Sequence, residues 1–138
     1  MPRIEKFTYY LPRNTKNRKQ NMVLNSNDRL NRFARMETTQ KLRAMVAYQE
    51  SGRVFDPYTA EHPARLILTV YPPTRQDVDP PNLYPTFKAL IDGLTDAGVW
   101  EDDNNRIILE TVFRYGGVSG KKGHYKLEIM AMPCASMF

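Results

Sequence analysis

Seven residues, Arg65-Leu-Ile-Leu-Thr-Val-Tyr71, constrain this chain more than any others. The run is apolar, partly β-branched and too short for a buried helix, so it predicts a strand that sits centrally in a sheet. Pro72-Pro73 ends it, because neither ring can donate a ladder hydrogen bond. A central strand needs neighbours, and three further segments can supply them. Residues 7–11 read as a short strand, 106–113 as a strand rich in Ile, Leu and Val, and 125–132 as an alternating return strand. The glycine-rich stretch 116–123 reads as the hairpin-like loop joining the last two.

Two helices complete the pattern. Leu83, Phe87, Leu90, Ile91 and Leu94 form one apolar face over residues 82–97, with Pro85 tolerated in the first turn and Gly98 as the C-cap. An earlier helix is expected from a cap at Asn27 or Asp28 to about Tyr48, with Leu30, Phe33, Ala34, Leu42, Met45 and Val46 as its apolar positions. Ser51-Gly52 ends it, and loops follow over 52–64 and 74–81. The reading is an α+β domain, a small mixed β-sheet flanked by helices, over residues 24–138, preceded by a basic, mobile arm over 1–23.

No apolar run approaches the roughly 18 residues that span a bilayer. Nor does the N-terminus have the apolar stretch of a signal peptide. The single cysteine, Cys134, leaves no internal disulfide, and no His/Cys cluster suggests zinc. A cytoplasmic chain with no membrane partner is expected.

Charge is segregated. Residues 1–48 carry eleven Lys/Arg against three Asp/Glu, whereas 77–110 carry eight acids against two bases. A basic region attracts phosphate, and an acidic patch beside it can hold a hard cation facing that phosphate. A basic tail on a domain with a solvated acidic face fits the same numbers. Arg29, Arg32, Arg35, Lys41, Arg43 and Arg75 are the candidate DNA contacts, and the first helix reads equally as DNA-tracking or as solvated and amphipathic.

Three acidic groupings frame a candidate site. Asp77 and Asp79 lie two apart in extended chain, Lys88 and Asp92 share a helix face four apart, and Asp102-Asp103 follow the helix. Carboxylates of this kind bind Mg²⁺, and a lysine can stabilise negative charge developing on a phosphate. Each pair taken alone is also an ordinary turn or surface pair.

The joint pattern resembles the core of the RusA family of Holliday junction resolvases. It runs Asp77-Val-Asp79, Asn82, Lys88, Asp92-Gly-Leu, Ala97-Gly98-Val-Trp100 and Asp102-Asp103, within about residues 65–130. The resemblance implies a homodimer that cuts four-way junctions in branched DNA by paired nicks, with Mg²⁺ or Mn²⁺, in recombination and repair, in a phage or prophage setting. It implies Asp77, Asp79 and Asp103 as metal ligands and catalytic carboxylates, Lys88 as the catalytic lysine, and Asn82, Asp92 and Asp102 as supporting residues. The chain departs from the family here: Pro80-Pro81 stands between the second Asp and Asn82, and Lys88 follows Asn82 by six residues where the family has three. Asp79, which adjoins the start of the helix, is favoured as primary ligand. Residues 25–29 resemble a DNA-contacting Asn/Arg segment of the family. A non-catalytic nucleic-acid-binding module and a flap or fork nuclease are the alternatives.

Overall fold

The computed structural model describes residues 1–135, so the last three residues of the expected domain lie outside the described residues. The elements run β1 (Glu5–Pro12), α1 (Arg32–Glu50), β2 (Ala64–Tyr71), α2 (Tyr84–Asp96), β3 (Ile108–Tyr115) and β4 (His124–Pro133). Short 3-10 turns occupy Arg18–Gln20 and Pro80–Leu83. The sheet order is β1-β4-β2-β3, with β2 and β3 parallel and the other neighbours antiparallel. This is an α+β fold with a mixed sheet, and β2 lies inside it, as its composition predicts. Parallel neighbours cannot be joined by a tight turn, so α2 makes the crossover between β2 and β3.

Alternation along the strands sorts the sheet into two faces. Phe7, Ile129 and Leu68 share one cross-strand row, and Tyr9, Leu127 and Val70 the next. All six are buried and join Leu42 and Val46 of α1 and Phe87, Leu90 and Leu94 of α2 in one core. Burying side chains of this size stabilises by roughly 2 kcal/mol each relative to exposure. The helices therefore cover one face of the sheet, and the other face stays half-buried or exposed except at Thr69. Gly93 lets the two helices approach: a Cβ there would lie 2.6 Å from Val46 Cβ and 2.7 Å from the Arg43 carbonyl oxygen.

The N-terminal region differs from expectation. Residues 1–23 are not an arm set apart from the domain. β1 is an edge strand of the same sheet, and Val23 is buried in the core. Asn14 Oδ1 accepts hydrogen bonds from the Lys16 and Asn17 amides, and Met22 N–H donates to the Pro12 carbonyl at 2.8 Å. The Asn/Lys-rich composition that suggests disorder is here a composition of side-chain-capped turns.

Nor does α1 start at Asn27 or Asp28. Its cap is Asn31, whose Oδ1 accepts the Ala34 N–H at 2.8 Å. Asp28 is not free to cap, because its carboxylate accepts two bonds from Arg13, at 2.8 and 3.0 Å, and one from the Asn25 amide. Of the expected apolar positions Leu42 and Val46 are buried, together with Glu50, whereas Leu30 precedes the helix and Phe33 in its first turn is 78% exposed. β3 starts two residues later than expected. Asn104 caps the preceding turn, accepting Arg106 N–H on its side chain and the Ile107 and Ile108 amides on its carbonyl.

Candidate functional site

α2 is the spine of the site. Its predicted apolar face is buried, from Phe87 to Leu94, and Gly98 ends it with φ +86°. Lys88 and Asp92 lie on the opposite, solvent-facing side and meet at 2.9 Å. Lys88 Nζ also donates to Asp103 at 2.6 Å, across the fifteen residues of the sequence pattern. Partial burial opposes the Lys88 charge, but the bonds to Asp103 and Asp92 outweigh it and raise its pKa above the ordinary lysine value. Asp103 responds in the opposite direction. Burial would raise its carboxyl, yet the Lys88 contact holds it below the usual carboxylate range. Lys88 is thus a fixed cation at neutral pH, suited to stabilising negative charge and unsuited to taking a proton.

The turn that presents Asp103 is anchored from below. Trp100 is buried, and its Nε1–H donates to Thr95 Oγ1 at 2.7 Å. Asp102 points into the turn itself, accepting Asp103 N–H at 2.8 Å and Asn104 Nδ2–H at 3.2 Å. Arg43 of α1 closes one side with two bonds to Asp96, at 2.6 and 2.9 Å.

Asp77 and Asp79 lie in the exposed loop between β2 and the Pro80–Leu83 turn, with no side-chain partner among the described residues. They belong to the chain running into α2, whereas Asp103 belongs to the chain leaving it. Among the described residues no three His, Cys, Asp or Glu side chains converge as a metal cage. The donors are oxygen-only and partly exposed, which is the right chemistry for Mg²⁺. The structure brings Lys88, Asp92 and Asp103 together and does not bring Asp77 and Asp79 to them.

The candidate DNA contacts divide in two. Arg29, Arg32 and Arg75 are exposed, with no ion-pair or hydrogen-bond partner for their side chains among the described residues. The other three are engaged: Arg35 donates to the Asp28 carbonyl at 2.9 Å, Lys41 pairs with Glu37 at 3.2 Å, and Arg43 is held by Asp96. No protein-family model matches this chain, and no characterised protein matches it by sequence.

Two pairings were not legible in the sequence. Thr86 Oγ1 accepts the Leu24 amide at 2.8 Å and donates to the Leu24 carbonyl at 2.6 Å. Ser26 N–H donates to the Asn82 carbonyl at 2.8 Å, and Ser26 Oγ donates to Asn82 Oδ1 at 3.2 Å. Together they dock residues 24–26 on the start of α2, beside the Asp79 loop. The partners are 62 and 56 residues apart, and no local signal marks either pair.

Proposed function

We propose that this chain is a RusA-like, Mg²⁺- or Mn²⁺-dependent endonuclease that acts as a homodimer on four-way DNA junctions. The observation that carries this reading is the contact of Lys88 with Asp103 at 2.6 Å, which joins the helix lysine to the closing acid of the sequence pattern. Asp77, Asp79 and Asp103 would hold the metal, which requires the exposed 77–79 loop to move toward Asp103, and the bound metal would polarise the scissile phosphate and neutralise charge on the leaving oxygen. Lys88, held as a cation, stabilises the extra negative charge on that phosphate. The docked segment 24–26 lies beside the loop of Asp79, where a phosphate backbone would pass, and exposed Arg29 follows it three residues on. Paired nicks require two such sites related by a two-fold axis, which is why the reading includes a second copy.

A specific observation favours a second reading. The carboxylates of 77–79 do not converge on Asp103, as expected for a nucleic-acid-binding module that cuts nothing. Incubating the protein with a synthetic four-way junction, with and without Mg²⁺, separates the two. The first reading expects metal-dependent paired nicks that Asp79→Asn abolishes. Junction binding without cleavage at any Mg²⁺ or Mn²⁺ concentration would establish the second. A linear duplex or a flap cut as readily as the junction would move the assignment to a nuclease of other specificity.

A further inference from the structure

The sheet face opposite the helices carries a row of aromatic and basic side chains. Tyr10 of β1, Lys126 of β4 and Tyr71 of β2 are cross-strand neighbours in register. Tyr10 and Tyr71 lie between buried residues, and Lys126 between half-buried Tyr125 and buried Leu127, so the three point outward. Lys126 Nζ sits 4.5 Å from the centre of the Tyr71 ring and 6.0 Å from that of Tyr10. Lys121, from the loop before β4, approaches Tyr10 at 5.7 Å. On Tyr71 the Gly116 backbone packs against the ring, where a Cβ would lie 2.3 Å from it, so Tyr71 is a covered ring and Tyr10 the open one. Tyr10 is 44% exposed.

We propose that this row is a binding site for unpaired bases of single-stranded DNA. The exposed Tyr10 ring, on a rigid strand, offers a stacking surface to any base, and the ammonium groups of Lys121 and Lys126 beside it suit the adjoining phosphates. The charge argues for this occupant. Lys121 and Lys126 flank Tyr10, and the nearest carboxylate on this face, Glu128, lies one row away, so the spot attracts a polyanion, and stacking on Tyr10 selects the nucleic acid among polyanions. The position argues too. Tyr71 ends the strand from which the Asp77 loop departs, so strands opened near that loop can reach the outer face of the sheet. Binding here is independent of cleavage, and a chain that cuts nothing would still show it.

The test is fluorescence anisotropy of the full chain with a labelled oligothymidylate in EDTA, against a duplex of equal length. The single strand should bind more tightly than the duplex. Tyr10→Ala should weaken it about five- to a hundredfold, and Tyr10→Phe should stay within about twofold. Lys126→Ala should lower the slope of log affinity against log salt by about 0.7. Photo-crosslinking of the unaltered protein to a bromodeoxyuridine oligomer should place adducts on Tyr10. The proposal is overturned if Tyr10→Ala binds like the unaltered protein, if duplex binds as tightly as single strand, or if adducts map only elsewhere. It is equally overturned if Tyr10→Ala changes the oligomeric state and leaves single-strand affinity intact, since the row would then be a contact between copies.

Discussion

Thr86 gives the most direct test of how the N-terminal region is tied to the site. One hydroxyl there serves both backbone groups of Leu24, accepting the N–H at 2.8 Å and donating to the carbonyl at 2.6 Å. Leu24 is 1% exposed and Thr86 is 0% exposed, so water cannot replace the lost partner without movement. Thr86→Val keeps the shape and removes both bonds. Each buried backbone group left unpaired costs roughly 1–3 kcal/mol, and some relaxation of the segment offsets part of it. The expected loss is about 2–4 kcal/mol, a large share of the roughly 5–15 kcal/mol that holds a domain folded. Urea unfolding should move to a lower midpoint with unchanged slope, and the melting temperature should fall by roughly 6–16 °C. Hydrogen exchange at the Leu24 amide should speed up. Thr86→Ser, which keeps the hydroxyl and loses a methyl, should cost only about 1 kcal/mol. A Thr86→Val protein within about 0.5 kcal/mol of the parent, with Leu24 still protected, would refute the argument that this hydroxyl docks the segment.

Lys88→Ala should cut junction turnover by about a hundredfold or more while junction affinity changes little; equal losses in both would make Lys88 a plain phosphate contact. Asp28→Asn tests the Arg13 pair through pH. Burial opposes the Asp28 charge, but the Arg13 bonds outweigh it and keep its carboxyl below the usual value, so its contribution is present at neutral pH and lost as pH falls through the lowered pKa. The variant should be roughly 1–2 kcal/mol less stable at pH 7, and the difference should begin to shrink below about pH 4 and go on shrinking through the lowered pKa; a gap unchanged at pH 3 would remove charge from the account. Gly93→Ala sets two effects against each other. Helix propensity favours Ala by about 1 kcal/mol, but contacts of 2.6 and 2.7 Å with α1 force the helices apart. Overpacking of that kind costs roughly 1–3 kcal/mol, so the variant should be less stable in urea, and a more stable one would mean that α1 can shift freely.

What the sequence made legible is what short-range physics decides. The periodicity of Leu83 to Leu94 fixes the buried side of α2 and thereby puts Lys88 and Asp92 in solvent. Pro72-Pro73 stops β2 at Tyr71, where the structure ends it. The region 13–31 is not legible in the sequence for the complementary reason. Its order comes from Arg13 with Asp28, Leu24 with Thr86 and Ser26 with Asn82, contacts of partners distant in the chain that composition cannot report. The same holds for the basic residues. Arg29 and Arg43 look alike in the sequence, yet one is exposed without a partner and the other is bound to Asp96 on a neighbouring helix.

The charge of the site is therefore distributed differently from what a count over 77–110 implies. Asp92 and Asp103 are balanced by Lys88, and Asp96 by Arg43, whereas Asp77 and Asp79 have no side-chain partner among the described residues. If Asp103 is a metal ligand, Lys88 competes for its carboxylate in the free protein, because the ammonium already sits 2.6 Å away. Replacing Lys88 with alanine should then separate two properties that usually fall together. Turnover should drop, while Mn²⁺ affinity should rise by about three- to tenfold, the effect of removing roughly 1 kcal/mol of competition at a half-exposed site. Electron paramagnetic resonance of free Mn²⁺ measures that affinity with no DNA present. An Mn²⁺ affinity that falls in Lys88→Ala, or that stays the same there and in Asp103→Asn, would place the ion away from Asp103 and leave the Lys88 contact as a structural clamp on the acidic turn.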